Sequence, residues 1–358
     1  MNRSDLRRAL TPTAVALALA VTLAGCGGES GGSGLSGTIS GGGSSAQEAA
    51  MAAFRAGFQT EHPRVTINYE PIGSGGGREQ FISGGYPFAG TDSALDEEEL
   101  AAAEEICGAS PIEVPDYISP IALVYNLPGV ERLRLDGETI AGIFAGEIET
   151  WDDPAITATN PDADLPDTTI TPVHRSDESG TSENFTAYLD AVAPDVWTHG
   201  EVGEWPINDG EAAQGNAGVV DAVRNGTSTI GYADASQAGQ LSVAQVKVGD
   251  EFVGPRARAA ARILEVSPRA EGRPESSMAV ELDRATEESG TYPIVLTSYL
   301  VACPEYDDAE DAELVRAFFD YVVSEEGQRM SAEHAGSAPL SPALAEDARR
   351  LIDQITQS

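Results

Sequence analysis

The chain contains very little positive charge and almost no lysine. Of its 21 lysine and arginine residues only Lys247 is a lysine, and 58 aspartate and glutamate residues give a formal net charge of -37. A surface this acidic repels nucleic acid and acidic lipid headgroups. We therefore expect no nucleic-acid partner, and we interpret the acidity as an adaptation to solubility or salt.

Long apolar runs are absent beyond the first 25 residues. Residues 1–8 carry three arginines, residues 14–23 form a short apolar run, and residues 23–26 read LAGC. This order predicts a bacterial lipoprotein signal peptide over residues 1–25, with Cys26 as the lipidated first residue of a protein held on the extracytoplasmic face of the cell membrane. The alternative is an ordinary cleaved signal, or a short membrane anchor, with an incidental cysteine. Residues 26–35 are rich in glycine and serine and predict a flexible tether.

Cysteine and histidine are also scarce. The four histidines are scattered without the spacing of a ligand set, so we predict no metal site and no cofactor. Apart from Cys26 the chain has only Cys107 and Cys303. In an exported protein this pair is expected to form a disulfide rather than two free thiols.

Strand-like and helix-like segments alternate through the rest of the chain. Short β-branched runs at 65–69, 121–125 and 294–296 alternate with helical patterns that include 47–58, 95–106 and 312–323, which predicts an α/β protein. Two longer apolar segments, 118–126 and 292–303, are candidates for paired crossovers between two lobes. On that hypothesis residues 36–120 and 296–358 form lobe I, residues 121–295 form lobe II, and the lobes close by hinge motion.

Three segments place a glycine- and serine-rich turn directly before a helical pattern. Residues 41–47 read GGGSSAQ, residues 73–78 read GSGGGR, and residues 175–182 read RSDESGTS. A helix start presents free backbone N–H groups and the positive end of the helix dipole, so it favours an oxyanion. A single serine such as Ser45 or Ser179 is more often a plain N-cap, but three such turns beside an arginine favour anion binding.

Arg175 and Asp92 are the charged residues that give this pattern its chemistry. The planar guanidinium of Arg175 can hold two oxygens of a tetrahedral anion, and Asp177 can orient it. Asp92, within FAGTD at 88–92, would repel an anion unless the anion carries a proton to donate. Taken without context, Arg175 reads as a surface ion pair and Asp92 as a turn or cap residue.

Taken together, these motifs resemble the phosphate-binding proteins of the bacterial high-affinity phosphate (Pst) ABC transporter, from about Ser36 to the C-terminus. The segment RSDESGT at 175–181 is similar to that family's Arg-x-Asp-x-Ser-Gly-Thr loop, and IGSGGG at 72–77 is similar to its I-G-S-x-G-G turn. The resemblance implies a bilobed periplasmic-binding-protein fold of class II type, with two α/β lobes joined by a two-segment hinge. It also implies a monomer that binds inorganic phosphate in the interlobe cleft and passes it to permease subunits, without enzymatic activity.

Matching motif positions give the residues that would hold the ligand. The expected phosphate-binding residues are Ser45, Ala46, Ser74, Asp92, Arg175, Ser179, Gly180 and Thr181, with Asp92 accepting the phosphate proton and Asp177 orienting Arg175. Two positions depart from the family pattern. Ser45-Ala46 replaces Thr-Phe, and Glu178 stands where a small residue is common, so we expect its side chain to point to solvent.

Three alternatives remain open at this stage. One keeps the fold and changes the ligand to sulfate, molybdate or another oxyanion. A second is an exported hydrolase with Ser179 or Ser45 as nucleophile, although the only Gly-x-Ser-x-Gly string lies in the tether at 28–32 and His174 has no obvious role as a base. A third is a role outside transport, as an adhesin or a phosphate sensor.

Overall fold

Strands and helices alternate along the chain in the computed structural model, which describes residues 34–358. The strands are β1 (Gly37–Gly43), β2 (Val65–Glu70), β3 (Phe88–Thr91), β4 (Ile112–Asn126), β5 (Arg134–Leu135), β6 (Thr171–Arg175), β7 (Glu211–Ala213), β8 (Thr229–Asp234), β9 (Ser242–Val243), β10 (Gln245–Val248), β11 (Glu251–Val253), β12 (Val295–Ala302), β13 (Glu305–Tyr306) and β14 (Thr356–Gln357). The helices are α1 (Glu48–Glu61), α2 (Ser74–Ile82), α3 (Glu97–Cys107), α4 (Gly137–Phe144), α5 (Pro154–Thr159), α6 (Gly180–Val192), α7 (Gly215–Asn225), α8 (Ala257–Val266), α9 (Ala309–Val322), α10 (Glu325–Ala335) and α11 (Pro342–Ile352). The predicted signal peptide, Cys26 and most of the tether lie outside the described residues.

The main sheet has nine strands in the order β2-β1-β3-β12-β4-β8-β6-β7, with β9 also paired to β4. Strands β1, β2 and β3 run parallel to one another, and so do β6, β7 and β8. Helices connect these parallel strands, as parallel pairing requires. The predicted α/β class is therefore confirmed.

Strand β4 belongs to both halves of the sheet. Its first part pairs antiparallel with β12 as far as Pro120, and from Ile121 onward it pairs antiparallel with β8. Nearly every residue of β4 and all of β12 are buried, in keeping with their apolar sequences. We call the half of the sheet formed by β2, β1, β3, β12 and the first part of β4, with its helices, lobe I, and the half formed by the second part of β4, β8, β6 and β7, lobe II.

The residue limits predicted for the lobes stay a prediction. The change of partner in β4 falls between Pro120 and Ile121. Farther along, the backbone of Ser276 and Met278 hydrogen-bonds to Glu113 in the first part of β4, so this segment packs on lobe I although it precedes residue 296. The boundary predicted at residue 296 is therefore less distinct than the boundary predicted at residue 120.

The helix limits differ from the sequence expectations mainly at α2. The turn at 73–78 was expected to lead into a helix at Glu79, whereas the helix begins at Ser74 and includes three glycines. Glycine is a weak helix former, but packing fixes it here, because a Cβ on Gly77 would lie 2.4 Å from Cα of Gly43. Helix α1, expected over 47–58, runs to Glu61.

The predicted disulfide between Cys107 and Cys303 is present. It joins the end of α3 to the residue that follows β12, with 5.2 Å between the Cα atoms. Both cysteines pack against a small apolar cluster around Phe81 and Val301. Among the described residues, no helix has both the length and the apolar character needed to cross a membrane.

Candidate functional site

The three predicted turns lie at the carboxyl ends of parallel strands. The first follows β1 and opens on α1, the second follows β2 and opens on α2, and the third follows β6 and opens on α6. In open α/β sheets this edge is where ligands bind. In the turn before α1, Oγ of Ser44 accepts hydrogen bonds from the N–H groups of Ala46 (3.0 Å) and Gln47 (3.3 Å), and α1 itself has no side-chain N-cap.

Four of the predicted residues meet where lobe I faces lobe II. Oγ of Ser74 accepts the N–H of Asp92 at 3.1 Å, and Oγ1 of Thr181 lies 3.4 Å from Oδ2 of Asp92. Gly180 is close enough that an added Cβ would lie 2.7 Å from both Cβ of Asp92 and Oγ of Ser74. Only glycine fits at this position.

Asn216 links Ser45 to the same group of residues. Its Nδ2 donates to Oγ of Ser45 at 3.0 Å and to Oγ1 of Thr181 at 3.1 Å, and its backbone N–H also donates to Oγ of Ser45 at 3.2 Å. Ala46 is fully buried beside Ser45, and its N–H is given to Ser44 as described above. Predicted residues from all three turns therefore lie in one buried region.

The guanidinium of Arg175 is buried and held on one side by Asp177. Its Nε donates to Oδ1 of Asp177 at 2.8 Å and its Nη2 donates to Oδ2. Burial alone would raise the pKa of Asp177, but the hydrogen bonds and charge of Arg175 hold it below its ordinary value. Nη1 of Arg175 is buried and has no hydrogen-bond partner among the described residues. This atom can donate to a bound anion.

Ser179 caps α6 and keeps a hydrogen to donate. Its Oγ accepts the N–H of Ser182 at 3.1 Å, so the hydroxyl hydrogen remains for a ligand. Ser179 is 1% exposed. Behind it, the hydroxyl of Tyr232 accepts the N–H of Arg175 at 3.2 Å and lies 2.6 Å from Oγ of Ser182, so Tyr232 ties β6 to α6.

Asp92 is a buried carboxylate with its own supporting hydrogen bonds. Oγ of Ser298 donates to its Oδ1 at 2.7 Å. Burial raises the pKa of Asp92 above its ordinary value, and hydrogen bonds from Ser44 and Ser298 limit the rise. The positive charge of Arg175 acts in the same direction as those hydrogen bonds, so charge from the opposite lobe stabilises the ionised form of Asp92.

A second buried carboxyl group, Asp116, lies behind Asp92. Strand β4 has a bulge there, because Tyr117 pairs with Ser298 and Pro115 pairs with Tyr299, which leaves Asp116 as the extra residue. Asp116 is fully buried, and neither of its carboxyl oxygens has a hydrogen-bond partner within residues 34–358. Burial, and then the charge of Asp92, raise the pKa of Asp116 well above its ordinary value.

Sequence reasoning missed Asn216, Ser298 and Gln237. Gly215-Asn216 opens α7 after β7, so it repeats the turn-to-helix pattern of the other three segments and was recognisable on that ground. Ser298 is a serine within the buried strand β12, which is a weaker signal. Gln237, whose Nε2 donates to the backbone oxygen of Ser45 at 2.6 Å, had no sequence signal.

Comparison with known proteins gives one family model and many relatives. A model described as a PBP superfamily domain matches residues 28–326. The phosphate-binding protein PstS 3 of Mycobacterium leprae is 35% identical over 297 residues, covering 80% of this chain and 79% of that protein. PstS 2 of Mycobacterium tuberculosis is 35% identical over 363 residues, covering 94% and 96%. PstS of Haemophilus influenzae is 33% identical over 268 residues, covering 72% and 76%.

Solved structures agree with the fold. A high-affinity periplasmic phosphate-binding protein bound with phosphate at pH 8.5 aligns with a TM-score of 0.72 and 23% identity, covering 88% of this chain and 93% of that one. A phosphate-binding protein from Stenotrophomonas maltophilia aligns with a TM-score of 0.68 and 20% identity, covering 88% and 94%. These likenesses confirm the predicted bilobed α/β fold.

Proposed function

The chain belongs to the PstS phosphate-binding proteins of the PBP superfamily, and on this premise we propose that it captures inorganic phosphate outside the membrane and delivers it to the permease of an ABC transporter. The observation that carries the proposal is Arg175. It is buried at the edge where both lobes meet, it is oriented by Asp177, and its Nη1 has no partner among the described residues.

Binding would use hydrogen bonds and helix starts without a metal. Arg175 supplies the positive charge and a directed donor, and Ser179, Gly180 and Thr181 supply the first turn of α6. Ser45 and Ser74 add hydroxyl groups from lobe I. Because these groups are already buried, each hydrogen bond to an anion forms in a medium of low dielectric constant, where it is stronger than in water.

Asp92 would select for an anion that carries a proton. Phosphate near neutral pH keeps at least one proton and donates it to the carboxylate, whereas fully ionised sulfate has none to donate. Hydrogen bonds from the hydroxyl groups of Ser298 and Thr181 to the two carboxylate oxygens of Asp92 support its ionised form. This argument favours phosphate over sulfate or molybdate.

We propose no enzymatic activity. The relatives are named as phosphate-binding proteins. Among the described residues, Oγ of Ser179 accepts the N–H of Ser182 and Oγ of Ser45 accepts hydrogen bonds from Asn216, and neither partner is a base. His174, the histidine next to Arg175, stacks on Trp205 with ring centroids 5.1 Å apart, and its Nδ1 lies 2.9 Å from the carbonyl oxygen of Arg175. Those contacts occupy His174 away from Ser179.

The mature protein is further proposed to act as a monomer anchored through lipid on Cys26 at the outer face of the cell membrane. Membership in a family of extracytoplasmic binding proteins and the LAGC motif at 23–26 support this localisation. Intact-mass analysis of the membrane fraction tests it. A diacylated Cys26 is expected, and an unmodified cysteine or cleavage elsewhere would remove the anchor.

Isothermal titration calorimetry tests the binding function directly. The mature protein is titrated with phosphate, sulfate and molybdate at matched pH and salt. We expect tight binding of phosphate and much weaker binding of the other two. Tight binding of sulfate or molybdate would reassign the ligand, and absence of binding to all three would overturn the proposed function.

A further inference from the structure

Arg78 is a buried arginine that the phosphate site does not use. It lies on α2 in lobe I, with its side chain 6% exposed. Within its own lobe, Nε donates to Oε1 of Glu99 at 2.7 Å, and Nη1 donates to the hydroxyl groups of Thr91 and Ser93 at 3.1 and 3.0 Å. These three bonds fix the guanidinium through Nε and Nη1 and do not use Nη2.

Nη2 of Arg78 reaches across to lobe II. It donates to Oε1 of Glu178 at 2.9 Å, and Nη1 lies 4.0 Å from Oε2 of Glu183. The hydroxyl of Ser93 donates to the same Oε2 of Glu183 at 2.6 Å. We call Arg78 and Ser93 of lobe I, with Glu178 and Glu183 of lobe II, the interlobe clamp.

The backbone of lobe I is shaped to receive Glu178. An added Cβ on Gly75 would lie 2.1 Å from Oε2 of Glu178, and one on Gly73 would lie 2.8 Å from its carbonyl oxygen. Gly75 is in the first turn of α2, where a carboxylate is favoured by the helix dipole. We expected the side chain of Glu178 to point to solvent. It is half exposed, but Arg78 and the start of α2 hold it in place.

The clamp lies next to the ligand loop. Glu178 and Glu183 flank Ser179, Gly180 and Thr181, so a bond from Arg78 to either glutamate holds this loop against lobe I. We propose that the interlobe clamp is an affinity-determining element that keeps the lobes closed and sets how slowly phosphate leaves, without touching the ligand. The inference rests on the proposed function, since it assigns a role in phosphate retention.

Electrostatics alone predicts the opposite sign. Glu178 and Glu183 are negative charges near an anion site, so neutralising either one would strengthen phosphate binding if the clamp had no role. If the clamp holds the closed state, neutralising Glu178, which accepts the hydrogen bond from Arg78, weakens retention instead. The direction of the change therefore separates the two explanations.

The experiment measures release of phosphate from the mature protein in a radiolabelled-phosphate chase. Glu178→Gln keeps the shape of the side chain and removes its charge, and we expect the dissociation rate to rise about three- to tenfold, after allowing for the half-exposed position of Glu178. Arg78→Lys keeps the positive charge but cannot bond to Glu99, Ser93 and Glu178 together. It should raise the dissociation rate by a similar factor.

Glu326→Gln is the matched control. It removes one negative charge from an exposed ion pair with Arg329 within α10, so its dissociation rate should equal that of the parent. A Glu178→Gln rate equal to or slower than the parent's overturns the clamp and leaves the proposed function standing. If the parent protein binds no phosphate, both the clamp and the proposed function are wrong. Calorimetry on the parent alone identifies that case.

Discussion

Arg175 and Asp177, two positions apart in the chain, form a two-pronged ion pair that uses Nε and Nη2 of the arginine and leaves Nη1 without a partner among the described residues. The backbone N–H of Gly215 adds a third hydrogen bond to Asp177, at 3.1 Å from Oδ1. The carboxylate is thus fixed by two segments of lobe II. The arginine keeps its charge in place, and an anion meets a donor that is already oriented.

Replacing Arg175 with alanine should weaken phosphate binding by about a hundredfold, because the oriented, positively charged donor is lost and a hydrogen bond between charged groups contributes about 1.5–3 kcal/mol. Asp177 would then add an unpaired negative charge near the ligand. Calorimetry measures the loss, and circular dichroism checks that the fold is kept. A dissociation constant equal to the parent's would place Arg175 outside the site.

Replacing Asp92 with asparagine should admit sulfate. The amide keeps the shape, and it can rotate to donate a hydrogen bond to either anion. The parent is expected to reject sulfate by about a thousandfold, as sites do when a ligand lacks one required hydrogen. Paired titrations with phosphate and sulfate test this. If Asp92→Asn excludes sulfate as strictly as the parent, the carboxylate is not the discriminator.

Replacing Asp116 with asparagine should stabilise the protein at neutral pH. Its folded pKa is raised above the unfolded value, so the stability present at low pH is lost as pH rises through the interval between the two values. The loss is about 1.4 kcal/mol per pH unit within that interval. Urea unfolding from pH 4 to 8 should show a steeper fall in the parent than in Asp116→Asn, which keeps the contributions of Asp92 and Glu183. Parallel curves would show that Asp116 does not titrate differently on unfolding.

Phosphate affinity should carry a pH dependence from Glu183. Burial raises the pKa of Glu183 to about 7, although the charge of Arg78 opposes the rise. Glu99 and Glu201 also face this carboxyl group and raise its pKa, and Arg284 lies close enough to interact with it. Closing the lobes therefore takes up a proton between the ordinary carboxyl pKa and pH 7, and affinity should fall as pH rises across that range.

The measurement compares Glu183→Gln with the parent. The ionisation of phosphate itself is common to both proteins, so the ratio of their dissociation constants isolates the contribution of Glu183. We expect this ratio to change with pH by at most about tenfold per unit, because one proton is involved. A ratio that stays constant from pH 5 to 8 would contradict a proton taken up by Glu183.

Removing the disulfide should lower stability and leave phosphate binding intact. Cys107 and Cys303 are 196 positions apart, and closing a loop of that size in the unfolded chain corresponds to roughly 5 kcal/mol as an upper figure. The double serine variant should unfold at lower urea concentration, with an unchanged dissociation constant for phosphate. Thiol labelling of the unreduced, unfolded parent is the control, since two labelled cysteines would show that no bridge forms.

The sequence predicted those parts of the site that depend on interactions between residues close together in the chain. The turns before α1, α2 and α6 could be recognised because glycine, serine and a following helical pattern occur within a few residues. The pairing of Arg175 with Asp177 is also local. By contrast, the predicted start of α2 was wrong. Three consecutive glycines are typical of a turn, and only the folded structure shows that Gly77 must be glycine because Gly43 packs against it.

Contacts between distant segments were out of reach of a single sequence. Asn216 bonds to Ser45, which lies 171 positions away, and Arg78 bonds to Glu178, which lies 100 positions away. Neither pair has a spacing or composition that marks it. Such contacts depend on how β6 and β7 are placed beside lobe I, which only the folded sheet determines.

The position of Pro120 in β4 bears on how the molecule moves. The strand leaves β12 for β8 directly after this residue, and proline has no amide hydrogen to give to either neighbour. One half of the sheet can therefore rotate about this point by a change in the ψ torsion of Pro120. No hydrogen bond donated by Pro120 to a neighbouring strand has to break. Opening would then be a twist along a continuous strand, and the amide hydrogens on either side of Pro120 should stay protected from exchange both with and without phosphate.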